Sequence, residues 1–341
     1  MRAVVLEEQG PPEVLRLKDV ADPSPAADDE VVIRVKAAGL NRIDIWIRSG
    51  LYKLELPRII GVDMAGVVEK VGSRVSNVNV GDRVVVDPAL YDDECRFCKR
   101  GWTAMCEKHR MVGFHVDGGY AELVRVPARN VYHIPSGVGF EEAAAIPVNF
   151  LTVWHNLFVR ARVEAGDYVL VVGAGSGIGY AAIQLAKLAG ATVITTVGDE
   201  WKASKARELG ADYVINRKKE NVAERVNEIT NGRGVDLVFE HAGQAMWDAA
   251  VKSLRPGGTM VFCGATTGDT TQINIRLLYR KQLNLHGAYA WNRDAMEKVL
   301  QLFAERKLKA VVDSVMPLED AVKAHKRMEN SEHFGKIILR P

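Results

Sequence analysis

Cysteine is scarce in this chain. Four among 341 residues are too few for a disulfide scaffold, yet Cys95, Cys98 and Cys106 fall within twelve residues of one another, a clustering that points to a metal in a reducing compartment. An excess of charge of either sign is also lacking. The 45 Lys+Arg and 43 Asp+Glu leave a formal charge of +2, which argues against nucleic acid or an anionic membrane surface as the main partner, because both need a clustered basic excess. No apolar run approaches the ~18 residues of a membrane span, and Glu7 and Glu8 stand where a signal peptide would continue apolar. A cytoplasmic location is expected. Internal repeats, low-complexity tracts and long linkers are absent. What remains, 48% hydrophobic and 26% charged residues, describes a soluble globular protein of about two domains.

The first ~140 residues read as short apolar runs separated by turn residues: AVVL, VVIRVKAAG at 31–39, AGVVEKVG at 65–72 and GDRVVVDP at 81–88. Gly and Pro punctuate them as in an irregular β-barrel or sandwich. From about 141 the texture changes. EEAAAIPVNFLTVWHNLF predicts a helix, and then apolar strands alternate with helical segments: YVLVVG, GYAAIQLAKLAG, ATVITTV, KASKARELG, ADYVIN, VDLVFEHAG, MWDAAVKSL, GTMVFCG and LNLHGAY. This alternation implies parallel β-α-β units with helices on both faces, a doubly wound α/β domain. Helical patterns around 293–306 and 318–329 precede a last strand, KIILR. The expected plan is one β-rich domain from 1–140 with 288–341, and an α/β domain, 141–287, inserted into it.

YVLVV runs directly into Gly173-Ala174-Gly175-Ser176-Gly177-Ile178-Gly179, and a helical segment follows. Glycines in that context let the backbone approach a pyrophosphate, whose charge then rests on helix N-terminal N–H groups. A dinucleotide site is the reading. An NAD site usually carries an acid at the end of the second strand for the ribose 2′-OH; here the strand ends at Val197-Gly198, and Asp199 arrives only in the turn. Without the acid, repulsion against a 2′-phosphate is lost. Lys202 and Arg217 are cations able to reach such a phosphate, although most Lys and Arg are simply solvated and Asp199 could pair with Lys202. NADP(H) is the expected cofactor. Gly264, Ala265 and Thr266 follow the fifth strand, at the carboxyl end of the sheet where ligands bind in open α/β folds.

In this order of elements the whole chain resembles the medium-chain dehydrogenase/reductase superfamily, which joins a GroES-like β-rich catalytic domain to a Rossmann domain. AAGLNRIDIWIRSGLY at 37–52, GVDMAGVVEKVG at 61–72, GAGSGIG at 173–179 and the closing GKIILRP look like its quinone oxidoreductase branch. In that branch the positions matching Gly198, Lys202 and Arg217 form the 2′-phosphate pocket, usually with Tyr at the last. The resemblance also implies that Thr152 contacts the nicotinamide. His155, one turn on, reads as structural.

Zinc alcohol dehydrogenases of the superfamily hold a catalytic zinc at positions that match Asn41, Val62, Asp63 and Val148 here. Two valines cannot ligate, and an amide is a poor zinc ligand beside imidazole or thiolate, so no catalytic zinc is expected. The same enzymes often carry a structural zinc on C-x2-C-x2-C-x7-C. This chain has Asp92 in the first position, then Cys95, Cys98 and Cys106 in register. Three thiolates and a carboxylate complete a closed tetrahedron in a lobe at about 88–112, one structural zinc per chain, with Glu94 a worse fourth ligand than Asp92. The alternative is a relict lobe with free thiols. Cys263 is expected in the core.

Without a catalytic metal, hydrogen-bond donors must stabilise the oxygen that gains charge on hydride transfer. Asn41 and Tyr52 are the leading candidates, because the branch's matching positions line the pocket beside the nicotinamide; for Asn41 the competing reading is a turn residue, for Tyr52 a half-buried core ring. Asp44, with Arg42, could orient a donor, or equally serve a backbone turn. Trp46 could form an aromatic wall. The expected activity is an NADP(H)-dependent oxidoreductase acting on a quinone, enone, aldehyde or ketone. The alternatives are a zinc-type alcohol dehydrogenase and a non-catalytic NADPH-binding sensor. Family members pair through the strand matching LNLHGAY, so a homodimer or homotetramer is expected.

Overall fold

The protein is described here by a computed structural model covering residues 1–25 and 27–341. The chain forms two compact units, Met1–Val148 with Asn292–Pro341, and Asn149–Trp291. The tail therefore belongs with the N-terminal segment. Both junctions lie a few residues beyond the expected ones. Residues 143–146 are buried alanines and an isoleucine, and the short helix Phe140–Ala143 packs on the strands Glu30–Gly39 and Asp63–Val71, which keeps this stretch in the first unit. The expected long helix after 141 is broken: wider π-type turns run over Pro147–Leu151 and His155–Ala161, with one α turn, Thr152–Trp154, between them.

The first unit is built on a seven-stranded mixed sheet. Val131–His133, Arg83–Val86, Asp63–Val71, Glu30–Gly39, Lys336–Arg340 and Val312–Pro317 follow one another across it, and Leu123–Pro127 pairs with Glu30–Gly39 as well. The last strand closes the unit through the register Ile338↔Gly39 and Leu339↔Ala38. Four consecutive residues of it, Lys336 to Leu339, are buried, so one charged side chain is carried into the interior among isoleucines and a leucine. A smaller sheet pairs Leu15–Asp19, Arg2–Leu6 and Arg58–Ile59.

The second unit holds six strands, all paired in parallel: β1 Tyr168–Val171, β2 Thr192–Val197, β3 Tyr213–Asn216, β4 Val235–Glu240, β5 Leu254–Phe262 and β6 Asn284–Gly287. Their order across the sheet is β3-β2-β1-β4-β5-β6. The winding order reverses between β1 and β4, and in open α/β sheets ligands bind outside the carboxyl ends of the strands at such a switch point. All six residues of β4 are buried, as a strand covered on both faces must be. Leu170, Ile194, Ile215, Val238 and Met260 form one face of the core against Val222, Val226, Met246 and Ala250 from the crossover helices. Cys263 lies one residue past β5 and is half-buried rather than part of that core.

Candidate functional site

The glycine turn after β1 has the geometry its spacing implies. Gly173 has φ 73°, the left-handed region that glycine adopts without cost. Ser176 caps the helix Gly177–Leu188: its Oγ accepts the Gly179 amide at 2.9 Å and donates to the Gly173 carbonyl at 3.0 Å. The amides of Gly177 and Ile178 have no acceptor within the helix and stand at its positive end, where an anion is favoured. A Cβ on Gly179 would lie 2.1 Å from the Gly173 carbonyl oxygen, and one on Gly177 would lie 2.3 Å from Asn149 Oδ1. The first collision is with backbone and admits only glycine; the second would require the Asn149 side chain to move. His241, just after β4, reaches Ser176 Oγ at 3.3 Å, and a Cβ on Gly264 would meet its carbonyl oxygen at 2.5 Å. The turn, His241 and the Gly264-Ala265 segment are thus gathered at one end of the sheet. Burial pushes the adjoining Glu240 carboxyl up to about 7, although the amides of Ala242 and Gly243 donate to it. His241 and Asn149 were not anticipated; neither carries a sequence signal apart from its place beside a strand or helix end.

At the end of β2, a Cβ on Gly198 would lie 3.2 Å from an Arg217 guanidinium nitrogen, so Arg217 stands directly over the position where an NAD-type acid would sit. The Arg217 side chain is exposed and makes no hydrogen bond or ion pair among the described residues. Asp199 pairs with Lys218 at 2.6 Å, not with Lys202, and the Lys218 hydrogen bond holds its carboxyl below the usual range. Lys202 is not a solvated charge: it is buried with its ammonium 5.1 Å from the Trp201 ring centre. Thr152 is half-buried in the α turn of the bridging helix, and its carbonyl accepts the Asn156 amide at 2.7 Å. His155 is buried beside it.

In the first unit, Asn41 caps the helix Arg42–Ser49, and Asp44 accepts the Asn41 backbone N–H at 2.8 Å. Asp44 thus has a helix-capping role. It is fully buried, its Oδ2 lies 3.4 Å from the Tyr120 hydroxyl, and burial raises its carboxyl to about 7. The Asn41 carboxamide faces inward: Nδ2 donates to Asp63 at 2.9 Å and to the Gly39 carbonyl at 3.3 Å, while Oδ1 accepts from Lys336 at 2.6 Å. Lys336 also bonds Asp63 at 2.5 Å. The sequence reading missed Lys336, although a lysine opening an otherwise apolar buried strand is a visible exception. Val62 is buried, and Val148 contributes only its backbone N–H, 3.0 Å from Asp63 Oδ1. Tyr52 is half-buried, its ring 6.2 Å from Trp46 and 5.7 Å from Phe114, centre to centre. Its hydroxyl has no hydrogen-bond partner among the described residues, so it remains available as a donor. Arg42 reaches the Met328 carbonyl at 3.2 Å instead of turning toward Asp44.

The cysteine lobe closes around a point. One ligand atom each from Asp92, Cys95, Cys98 and Cys106 lies within 4.8 Å of the other three, and a tetrahedral zinc–thiolate shell needs edges of about 3.8 Å. The four therefore fit one ion. Asp92 Oδ1 accepts the amides of Glu94 and Cys95 at 3.0 and 3.1 Å, and the Cys95 amide above all keeps its carboxyl ionised and below the usual range. Amides of Cys98 and Asp92 in turn point at the sulfurs of Cys95 and Cys106. Glu94 is not in the cluster.

Comparison with known proteins bears on both units. Residues 27–136 match the alcohol dehydrogenase GroES-like domain, and 177–305 match the zinc-binding dehydrogenase family. An alcohol dehydrogenase of Geobacillus stearothermophilus is 34% identical over 345 aligned positions, covering 100% of this chain and 99% of that protein. The chain belongs to the medium-chain dehydrogenase/reductase superfamily. Within it, a quinone oxidoreductase of Salmonella typhimurium is 32% identical, with 99% of each chain covered. A crystal structure described as an NAD-dependent alcohol dehydrogenase superposes with a TM-score of 0.97 at 39% identity, each chain covered completely. Superfamily membership establishes an oxidoreductase built from a GroES-like and a Rossmann-type domain. Relatives named for alcohols and for quinones match almost equally well, so overall similarity does not choose between those substrates.

Proposed function

We propose that this protein is an NADP(H)-dependent reductase of a quinone, enone, aldehyde or ketone that works without a catalytic zinc and carries one structural zinc. The observation that carries the reading is the composition of the ligand positions. Val62 and Val148 have no donor atoms to offer, and the two groups that could ligate, Asn41 and Asp63, are both bonded to the Lys336 ammonium. NADPH, when bound, supplies the hydride. The chain's own residues cradle the pyrophosphate at the Ser176–Ile178 helix start and offer Arg217 and Lys218 to the 2′-phosphate. Tyr52 and Asn41 are the donors proposed for the substrate oxygen, whose developing charge they stabilise; the proton that completes an alcohol or quinol comes from solvent. Thr152 and the Gly264-Ala265 backbone are proposed to border the nicotinamide.

In the lobe, Asp92, Cys95, Cys98 and Cys106 would hold zinc with no position left for substrate, so this metal clamps a loop. The proposed assembly is a dimer through β6, an edge strand whose surroundings expose Ile275, Tyr279 and Tyr289 at 72, 65 and 55%. A surface of that kind suits a second copy better than water. The test is metal analysis alongside NADPH oxidation over a panel of quinones, enones, aldehydes and ketones. About one zinc per chain and turnover that survives a chelator are expected. Two zincs per chain, or activity abolished by chelation without unfolding, would overturn the reading.

A further inference from the structure

Lys336, Asn41 and Asp63 form a closed ring of hydrogen bonds. Lys336 donates to Asn41 Oδ1 at 2.6 Å and to Asp63 Oδ2 at 2.5 Å, and Asn41 Nδ2 donates to the same Asp63 oxygen at 2.9 Å. Exposures are 1% for Lys336, 6% for Asn41 and 0% for Asp63. The ring joins the start of the last strand to the cap of a helix almost three hundred residues earlier, and Gly39 makes room for it: a Cβ there would lie 2.5 Å from Lys336 Cε.

Such a ring allows one orientation of the Asn41 carboxamide. Turned over, its NH2 would face an ammonium and its oxygen a carboxylate, so two buried hydrogen bonds would become two repulsive contacts while the Lys336–Asp63 pair stayed in place. In the permitted orientation one N–H is committed to Asp63. The other makes only the long 3.3 Å contact with Gly39, and with the amide plane held it is the donor left for an incoming oxygen. We propose that Lys336 is a positioning residue of the reductase: it is the cation lodged between Asn41 and Asp63, neutralises Asp63, and locks Asn41 so that its weakly held N–H is the one presented to substrate. This inference rests on the reductase reading above, in which Asn41 touches the substrate oxygen.

A single Lys336→Met change would strand Asp63 and could unfold the protein, so the informative variant removes the pair together. Replacing a buried ion pair as a unit is often tolerated in stability. For K336M/D63N the expected result is a melting temperature within a few degrees of wild type, NADPH affinity within threefold, and kcat reduced at least tenfold with KM for the acceptor changed less than threefold. Exchange of the Asn41 side-chain amide protons, read by NMR, should quicken at least tenfold. A double variant that keeps wild-type kcat and wild-type amide exchange would overturn the positioning role and leave the ring a structural staple. The reductase reading fails separately, if the wild-type protein turns over no acceptor; amide exchange in the two proteins then still decides whether Lys336 locks Asn41.

Discussion

Arg217 offers the sharpest test of cofactor choice. Its guanidinium stands 3.2 Å from where a Gly198 Cβ would be, and the neighbouring acid, Asp199, is engaged by Lys218 at 2.6 Å. A 2′-phosphate at this place would receive a charge-assisted bond from Arg217. Hydrogen bonds to charged groups contribute about 1.5–3 kcal/mol net, and the exposed position favours the lower part of that range. Arg217→Ala should therefore weaken NADPH by roughly 10- to 40-fold at 1.4 kcal/mol per decade, while NADH, which has only a hydroxyl there, changes by less than about threefold. Gly198→Asp should go further and invert the preference, because its carboxylate would pair with Arg217 and repel the phosphate. The assay is titration of each cofactor by nicotinamide fluorescence at two salt concentrations; the NADPH advantage should shrink as salt screens the pair. Equal loss for both cofactors in Arg217→Ala, or a wild-type protein that binds NADH as tightly as NADPH, would refute the argument.

Three further outcomes follow from other parts of the structure. Cys98→Ala or Cys106→Ala should reduce bound zinc from about one per chain to near none by elemental analysis and lower the melting temperature; an unchanged metal content would show that the lobe is not the site. Gly179→Ala drives a Cβ to 2.1 Å from the Gly173 carbonyl, a backbone collision expected to cost about 1–3 kcal/mol and to lower NADPH affinity more than tenfold, and full binding in that variant would mean the turn is not the pyrophosphate cradle. His325 is fully buried, and desolvation, aided by Arg48, lowers its pKa to about 3. The unfolded chain takes up that proton below about 6.5 and the folded one does not, so stability is present above 6.5 and lost as pH falls. Moving to pH 5 forfeits about 2 kcal/mol at 1.36 kcal/mol per unit; His325→Phe should flatten this acid limb in thermal melts, and an unchanged slope would place the pH dependence elsewhere.

Much of this is legible in the sequence because the signals are local. The β1 turn, Ser176 and the helix after it lie within a dozen residues, and their spacing alone fixes which amides stand at the helix start. The same holds for Asp92, Cys95, Cys98 and Cys106, whose register on one short lobe brings four donors around a single point. The valines at 62 and 148, positions that the resemblance matches to zinc ligands, carry the proposal of a metal-free reaction, since no fold can make an isopropyl group a ligand.

Other features depend on groups far apart in the chain. Asp199 lies three residues from Lys202, yet its ion-pair partner is Lys218, because β2 and β3 are neighbours and their ends meet; Lys202 lays its ammonium over Trp201 and acts on Asp199 only through its charge. Asp44 looked like a catalytic neighbour and proves also to be a helix cap, a role set by the turn it closes. Cys263, at the end of an apolar run, lies one residue past the strand and is half-buried.

The sequence by itself determined the order of elements, the glycine turn and the cysteine lobe, all of which are matters of residue type at short spacing. Tertiary structure alone decided that Lys336 lies between Asn41 and Asp63. That contact spans the chain almost end to end, and it exists because the last strand must pair with Glu30–Gly39 to cover its apolar side chains, and carries one ammonium inward when it does.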